Sequence, residues 1–195
     1  DFIKLALTPF QENTTAKNRK SGAGLEMKDL IKASTIPADQ FRNMDPTAGV
    51  SLIVLANLES LEGTMIEELP LFVENGGGLL ICGGNRMNLS WYNQHWGLEG
   101  SNFLPLPMTG SKGNLQNEFE FSKIANTYFE HPALSLFNDP RNGSLSEARI
   151  KKWIELDESR ARNDPGVTVV ARLENGDPLL VEKKWGKGVV MFLTT

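Results

Sequence analysis

Two residues in this sequence carry the chemistry of a nucleophile and its base: Cys82, the one cysteine, and His131, one of two histidines. A thiol attacks as its thiolate, and an imidazole within hydrogen-bond reach, itself oriented by an acid, would take the proton. Cys82 follows Leu79-Leu80-Ile81 and precedes Gly83-Gly84. That puts it at the end of an expected parallel strand, where α/β sheets gather their ligands. The same position suits a small buried hydrophobe, a common role for free cysteine. His131 precedes Pro132, and a His-Pro pair can also open a turn or helix with a fixed φ. His95 has no partner in sequence. One cysteine and two distant histidines, without His-x-x-x-His spacing, make no metal-ligand set, and no cofactor is expected.

Other residue clusters read more plainly. The glycines between Gly76 and Gly84 lie between a helix and a strand and then after the strand. A dinucleotide site needs them between the first strand and its helix, and no Lys-Ser/Thr of a phosphate loop follows. Glu59, Glu62, Glu67 and Glu68 read as a solvated helix face. Trp91, Tyr92 and Trp96 could line a ligand lid, or could pack over the sheet, the commoner use of large aromatics.

Positioning these groups falls to a few elements. Residues 51–58 form a continuous apolar run, as expected of a strand buried on both faces of a parallel sheet. Ser60 is available as a helix cap. Met65, Ile66, Leu69, Phe72 and Val73 fall on one helical face despite Pro70, and Gly76-Gly77-Gly78 ends that helix. With residues 79–82 as a second strand, this is a βαβ unit. Residues 85–113 read as irregular. Residues 167–173, 179–183 and 189–193 read as three strands joined by turns at Asn175-Gly176 and Gly186, a β-meander. Residues 149–156 are a further strand candidate. Before residue 51 the reading is thinner: a short amphipathic helix over 1–10, a polar loop over 11–24, and a strand or helix over 25–33.

Composition sets outer bounds. The 195 residues suffice for one core, and a single domain over 1–195 is expected. A net charge of −4, with 20 Lys+Arg against 24 Asp+Glu, argues against a nucleic-acid partner. No apolar run reaches the roughly 20 residues of a membrane span. The sequence begins at Asp1 and stops just after the strand-like run 189–193, as a fragment of a longer protein would, so any membrane anchor is expected outside it.

Leu52-Ile53-Val54-Leu55-Ala56-Asn57 and Phe72-Val73-Glu74-Asn75-Gly76-Gly77-Gly78-Leu79-Leu80-Ile81 resemble the signature of class I glutamine amidotransferase-like domains. His131-Pro132-Ala133-Leu134, Asn175-Gly176-Asp177-Pro178-Leu179-Leu180-Val181-Glu182 and Gly186-Lys187-Gly188-Val189-Val190 extend the likeness in order. It is nearest to domains of bacterial BatA-type, aerotolerance-related membrane proteins with a double-transmembrane region. The resemblance implies an α/β, flavodoxin-like three-layer sandwich, with a mostly parallel central sheet and a C-terminal antiparallel meander. It also implies a first strand before Asp1. Amidotransferases of this kind carry a Gly-x-Cys-x-Gly elbow and a His-x-Glu. Here Cys82 lacks the first glycine, and Pro132-Ala133 follow His131.

The favoured reading is therefore a non-catalytic ligand- or protein-binding, scaffolding domain of a membrane-anchored bacterial protein, on the periplasmic or extracytoplasmic side. Its binding edge would comprise Asn57, Glu59, Gly83, Gly84 and Asn85. Its partners would be other domains of the same protein, envelope proteins or a small ligand. The alternatives are a cysteine-dependent amidotransferase or hydrolase using Cys82 and His131, and a sensor of a small sugar-like molecule.

Overall fold

A central five-stranded sheet organises the computed structural model, which describes residues 31–41, 48–125, 127–159 and 164–195. The chain divides into two units, Asp1–Asn43 and Met44–Thr195. Within the described part of the first, residues 31–41, lies one short helix, α1 (Ala38–Phe41). The helix expected over 1–10, the loop over 11–24 and most of 25–33 lie outside the described residues.

The second unit begins with β1 (Leu52–Ala56), α2 (Met65–Glu74) and β2 (Gly78–Cys82). β1 and β2 are parallel, with Ile53 beside Leu79 and Leu55 beside Ile81. Ten residues of helix supply the crossover that a parallel pair requires. α2 starts at Thr64, not at Ser60, and without a side-chain cap. Its Pro70 sits in the second turn yet remains buried with Met65, Leu69, Phe72 and Val73.

The remaining strands are β3 (Met108–Gly113), β4 (Ser122–Lys123), β5 (Arg149–Ile150), β6 (Lys152–Leu156), β7 (Val167–Arg172), β8 (Pro178–Trp185) and β9 (Gly188–Leu193). The large sheet has the order β1-β2-β9-β8-β7, while β3 pairs with β6 and β4 with β5 in two small ladders. β9 runs parallel to β2, but β8 is antiparallel to both β9 and β7.

This overturns the flavodoxin-like sandwich with its mostly parallel sheet. The reason lies in the turns. β7 to β8 is joined through Gly176 (φ 92°) and β8 to β9 through Gly186 (φ 58°). Turns this short can only return the chain antiparallel. A Cβ on Gly186 would also meet the Glu74 carbonyl oxygen at 2.5 Å, so the turn is pressed against the end of α2.

Strand register puts Leu79, Ile81, Val190, Phe192 and Val181 on one face, all 1% exposed or less, and α2 lies across β2, β9 and β8. The opposite face at β1, β2 and β9 (Leu52, Val54, Leu80, Cys82, Val189 and Met191) is only partly covered. Further along this sheet, Ile124, Phe129, Trp153, Ala171, Leu173 and Leu179 form a second apolar cluster.

Residues 85–113 are more regular than expected. They include α3 (Leu89–Trp96), whose N-cap Asn88 accepts the Trp91 N–H through its side chain at 3.0 Å. Tyr92 and Trp96 are fully buried, and their polar atoms donate to the Leu58 and Ile66 carbonyls. Edge-to-face contacts run on from Trp96 to Phe103 and from Phe103 to Trp185. These rings are core, not a lid.

Candidate functional site

The five residues expected at a binding edge do come together beyond β1 and β2. Asn57 leaves β1 with φ 49°, a left-handed conformation that asparagine tolerates better than most residues. Its N–H donates to the Cys82 carbonyl, its Nδ2 to Asn85 Oδ1 at 3.1 Å, and its Oδ1 accepts the Arg86 N–H at 3.0 Å. The Glu59 carbonyl accepts the Asn88 N–H. A Cβ on Gly84 would lie 2.3 Å from the Asn57 side chain, and one on Gly83 would lie 2.8 Å from the Thr194 carbonyl oxygen. The glycines are thus explained by protein atoms that crowd them. The asparagines spend their hydrogen bonds on each other and on the turn that leads into α3.

The suspected nucleophile and base are not brought together. Cys82 is half-buried, and burial pushes its thiol pKa up, the wrong direction for a nucleophile. Glu182, on β8, is separated from β2 by β9, and it is this carboxylate that His131 meets, Nε2 to Oε2 at 3.0 Å. The His131 Nδ1 accepts the Ala133 N–H at 3.2 Å, so the neutral ring carries its proton on Nε2 and donates it to Glu182. The His131 carbonyl accepts the N–H groups of Leu134 and Ser135. His131 is thus the cap of a turn tied to the sheet, with both ring nitrogens engaged. Among the described residues it makes no hydrogen bond to Cys82.

The feature with the geometry of a binding site lies elsewhere, over β7 and β8. A cavity of about 570 Å³ is walled by Leu98, Leu104, Leu106, Pro105, Pro107 and Val167, with Asn102, Ser159, Asp164 and Lys183 as its polar lining. Lys183 is only 4% exposed. Its Nζ has three acceptors for its three protons: Asn102 O at 2.8 Å, Asn102 Oδ1 at 3.3 Å and Asp164 Oδ2 at 3.1 Å. Asn102 makes this possible by taking φ 56°, which aims carbonyl and side-chain oxygens at one ammonium. Asp164 is about a third exposed and also accepts the Gly166 N–H at 2.9 Å. Burial works against its charge, but Gly166 and Lys183 outweigh it and hold its carboxyl below the usual range.

The sequence contained one signal for this cavity. Leu179, Val181, Lys183 and Trp185 alternate on the inward face of β8, and a lysine on that stripe must be paired inside the protein. Among the described residues, no group of three or more His, Cys, Asp or Glu side chains is placed to hold a metal ion.

The fold and cavity define a mixed α/β domain with a parallel βαβ half and an antiparallel meander. No family model matches the chain, and no curated protein matches it. Among solved structures it is similar to the cytoplasmic protein STM1381 of Salmonella typhimurium LT2, at 21% identity and a TM-score of 0.57 over 82% of this chain and 68% of that one. It is similar to the cytoplasmic protein STM3548 of Salmonella typhimurium, at 18% identity and 0.53 over 84% and 65%. A cold-adapted β-galactosidase from Rahnella sp. R3 shares 16% identity at a TM-score of 0.50, over 74% of this chain but only 20% of the enzyme. At these identities the likeness is one of fold. These findings give no support to the amidotransferase-like and BatA-like descriptions. Among the described residues, no helix is long and apolar enough to cross a membrane.

Proposed function

We propose that this chain is a non-catalytic ligand-binding domain whose site is the cavity over β7 and β8. The observation that carries this reading is the Lys183–Asn102–Asp164 arrangement. A buried ammonium with every proton engaged is a fixed strut, and it leaves Asp164 as the more accessible charged group of the lining. An ionised carboxylate beside Ser159, with leucine and proline walls, suits a small neutral ligand that presents hydroxyl donors and an apolar face. Anions are disfavoured because the lysine charge is already matched. The volume lies within the usual range for small-molecule sites. Burial raises the Cys82 thiol pKa, and among the described residues His131 is engaged with Glu182 instead, which supports a binding role over a catalytic one.

Binding of monosaccharides, disaccharides and simple polyols, followed by thermal shift and calorimetry, tests this. Saturable binding to the parent chain, weakened by Val167→Trp, is expected. Binding unaffected by that substitution, or cysteine-dependent hydrolysis of glutamine lost in Cys82→Ser, would sink it. Attachment to a membrane through segments outside this chain, with the domain extracytoplasmic, is part of the same reading on the sequence resemblance alone. A full reading frame without an apolar span of roughly 20 residues would remove it.

A further inference from the structure

We infer, on the reading of the cavity over β7 and β8 as a small-molecule site, that Asp164 is a two-pronged acceptor for a vicinal diol, a pair of hydroxyls on adjacent carbons of a small ring. Asp164 lines the cavity, and a protein donor holds each of its two oxygens. Oδ1 accepts the Gly166 N–H at 2.9 Å, and Oδ2 is paired with Lys183 Nζ at 3.1 Å. Because the two donors engage different oxygens, they fix the rotation of the carboxylate as well as its position. Each carboxylate oxygen has two lone-pair directions, so each can take one more donor beside the one the protein supplies. Lys183 is itself fixed by the Asn102 carbonyl and side-chain oxygens at 2.8 and 3.3 Å, so the carboxylate is braced by a strut that does not move with it.

A carboxylate preset in this way recognises a fork of two parallel donors. Two hydroxyls on adjacent carbons make such a fork, and so does a guanidinium. Charge separates them. The Lys183 ammonium already matches the Asp164 charge, and a cation brought to the same carboxylate would face that ammonium in a largely apolar setting. A diol brings no charge. Leu98 and the run Leu104–Pro107 offer apolar wall to the C–H face of a ring, and Ser159 adds a hydroxyl to the polar lining. A sugar or cyclitol ring has both the hydroxyl fork and the apolar face that this lining asks for.

Probes that share one ring and differ only in their polar groups test this: cyclohexanol, cyclohexane-1,2-diol, cyclohexane-1,3-diol and cyclohexylguanidinium, titrated into the parent chain by calorimetry and ligand-observed NMR. The 1,2-diol should bind at least about tenfold more tightly than each of the other three, since the single hydroxyl and the 1,3-diol each leave one prong unused. Asp164→Asn replaces one of the two acceptors with a donor. It should bring the 1,2-diol to within about threefold of cyclohexanol while leaving cyclohexanol itself nearly unchanged. Circular dichroism confirms the fold of the variant. An affinity for the 1,3-diol as high as for the 1,2-diol, tightest binding by the guanidinium, or a 1,2-diol preference that survives Asp164→Asn would overturn the diol assignment and leave the cavity's binding role standing. If none of these probes binds, and no sugar or polyol binds either, the binding role and the diol assignment fall together.

Discussion

His131 and Glu182 are held together by a 3.0 Å contact on the side of the sheet where Cys82 also lies, with β9 between the strands of Glu182 and Cys82. The histidine therefore serves a buried carboxylate. His131→Ala should strand Glu182, which is 8% exposed, and cost about 2 kcal/mol, a fall in Tm of roughly 4–8 °C. Adding Glu182→Gln should recover part of the loss. Equal and additive losses in a double-mutant cycle would show that the pair contributes nothing.

Cys82 should be a slow thiol. Burial raises its pKa, so native protein should react with a thiol reagent at pH 7.5 at least about tenfold more slowly than unfolded protein. The rate should climb only above the ordinary thiol range of about 8.5. Rapid labelling below pH 7 would restore the nucleophile.

Gly84→Ala should cost about 2 kcal/mol, because its methyl group would enter the space of the Asn57 side chain. Removing that side chain makes room: Asn57→Gly also relieves the φ of 49°. The double variant should be more stable than Gly84→Ala alone in urea unfolding. If it is less stable, the Asn57 hydrogen bonds outweigh the crowding.

Lys183 and Asp164 should respond unequally. Lys183→Met removes a buried ammonium and takes the donor from two oxygens of Asn102, itself an exposed residue, and should cost about 2 kcal/mol. Asp164→Asn keeps a Gly166 contact, sits at the solvent and should cost far less. Chemical denaturation of the two variants compares them directly.

Beside the surface residue Asp139, whose carboxyl Arg141 holds low, acid should find two carboxylates tied to the folded sheet. In Asp177, burial opposes the charge, but the Trp153 indole N–H at 2.9 Å, Lys112 and Asn175 overcome it and lower the pKa, as Gly166 and Lys183 do for Asp164. Groups with depressed native pKa values contribute fully above the unfolded value of about 3.9 and lose that contribution as pH falls through the native value. Tm should therefore drop most steeply below about pH 4. Asp177→Asn should be less stable at pH 7 and show a shallower acid limb; an unchanged limb would contradict the assignment.

Local pattern revealed the βαβ half and the meander because each depends on near neighbours in sequence: apolar runs of strand length, a helical stripe from Met65 to Val73, and glycine turns at Gly176 and Gly186. The sheet's mixed character was present in those same turns, since short hairpins cannot yield parallel strands. α3 was obscured by Asn93, Gln94 and the prolines beyond it, although Asn88 as cap and Leu89, Tyr92 and Trp96 at helical spacing mark it. The cluster at Asn57 and Gly84 was legible as a meeting of two strand ends; its role as a packed turn was not, because crowding at a glycine is a fact about distant atoms. The cavity was hidden for the same reason: Asn102, Asp164 and Lys183 meet only once β8 has docked against two remote loops.

β9 stands in the middle of the large sheet although it is the last of its strands to be made. Gly78 must wait for Val189, more than a hundred residues downstream, before it gains its second neighbour. On the ribosome, β1, α2 and β2 can form early, but β2 keeps an open edge until residue 193 has left the exit tunnel. Such long-range closure slows folding and leaves sticky strands waiting, so this domain should depend on chaperones during synthesis more than its size suggests.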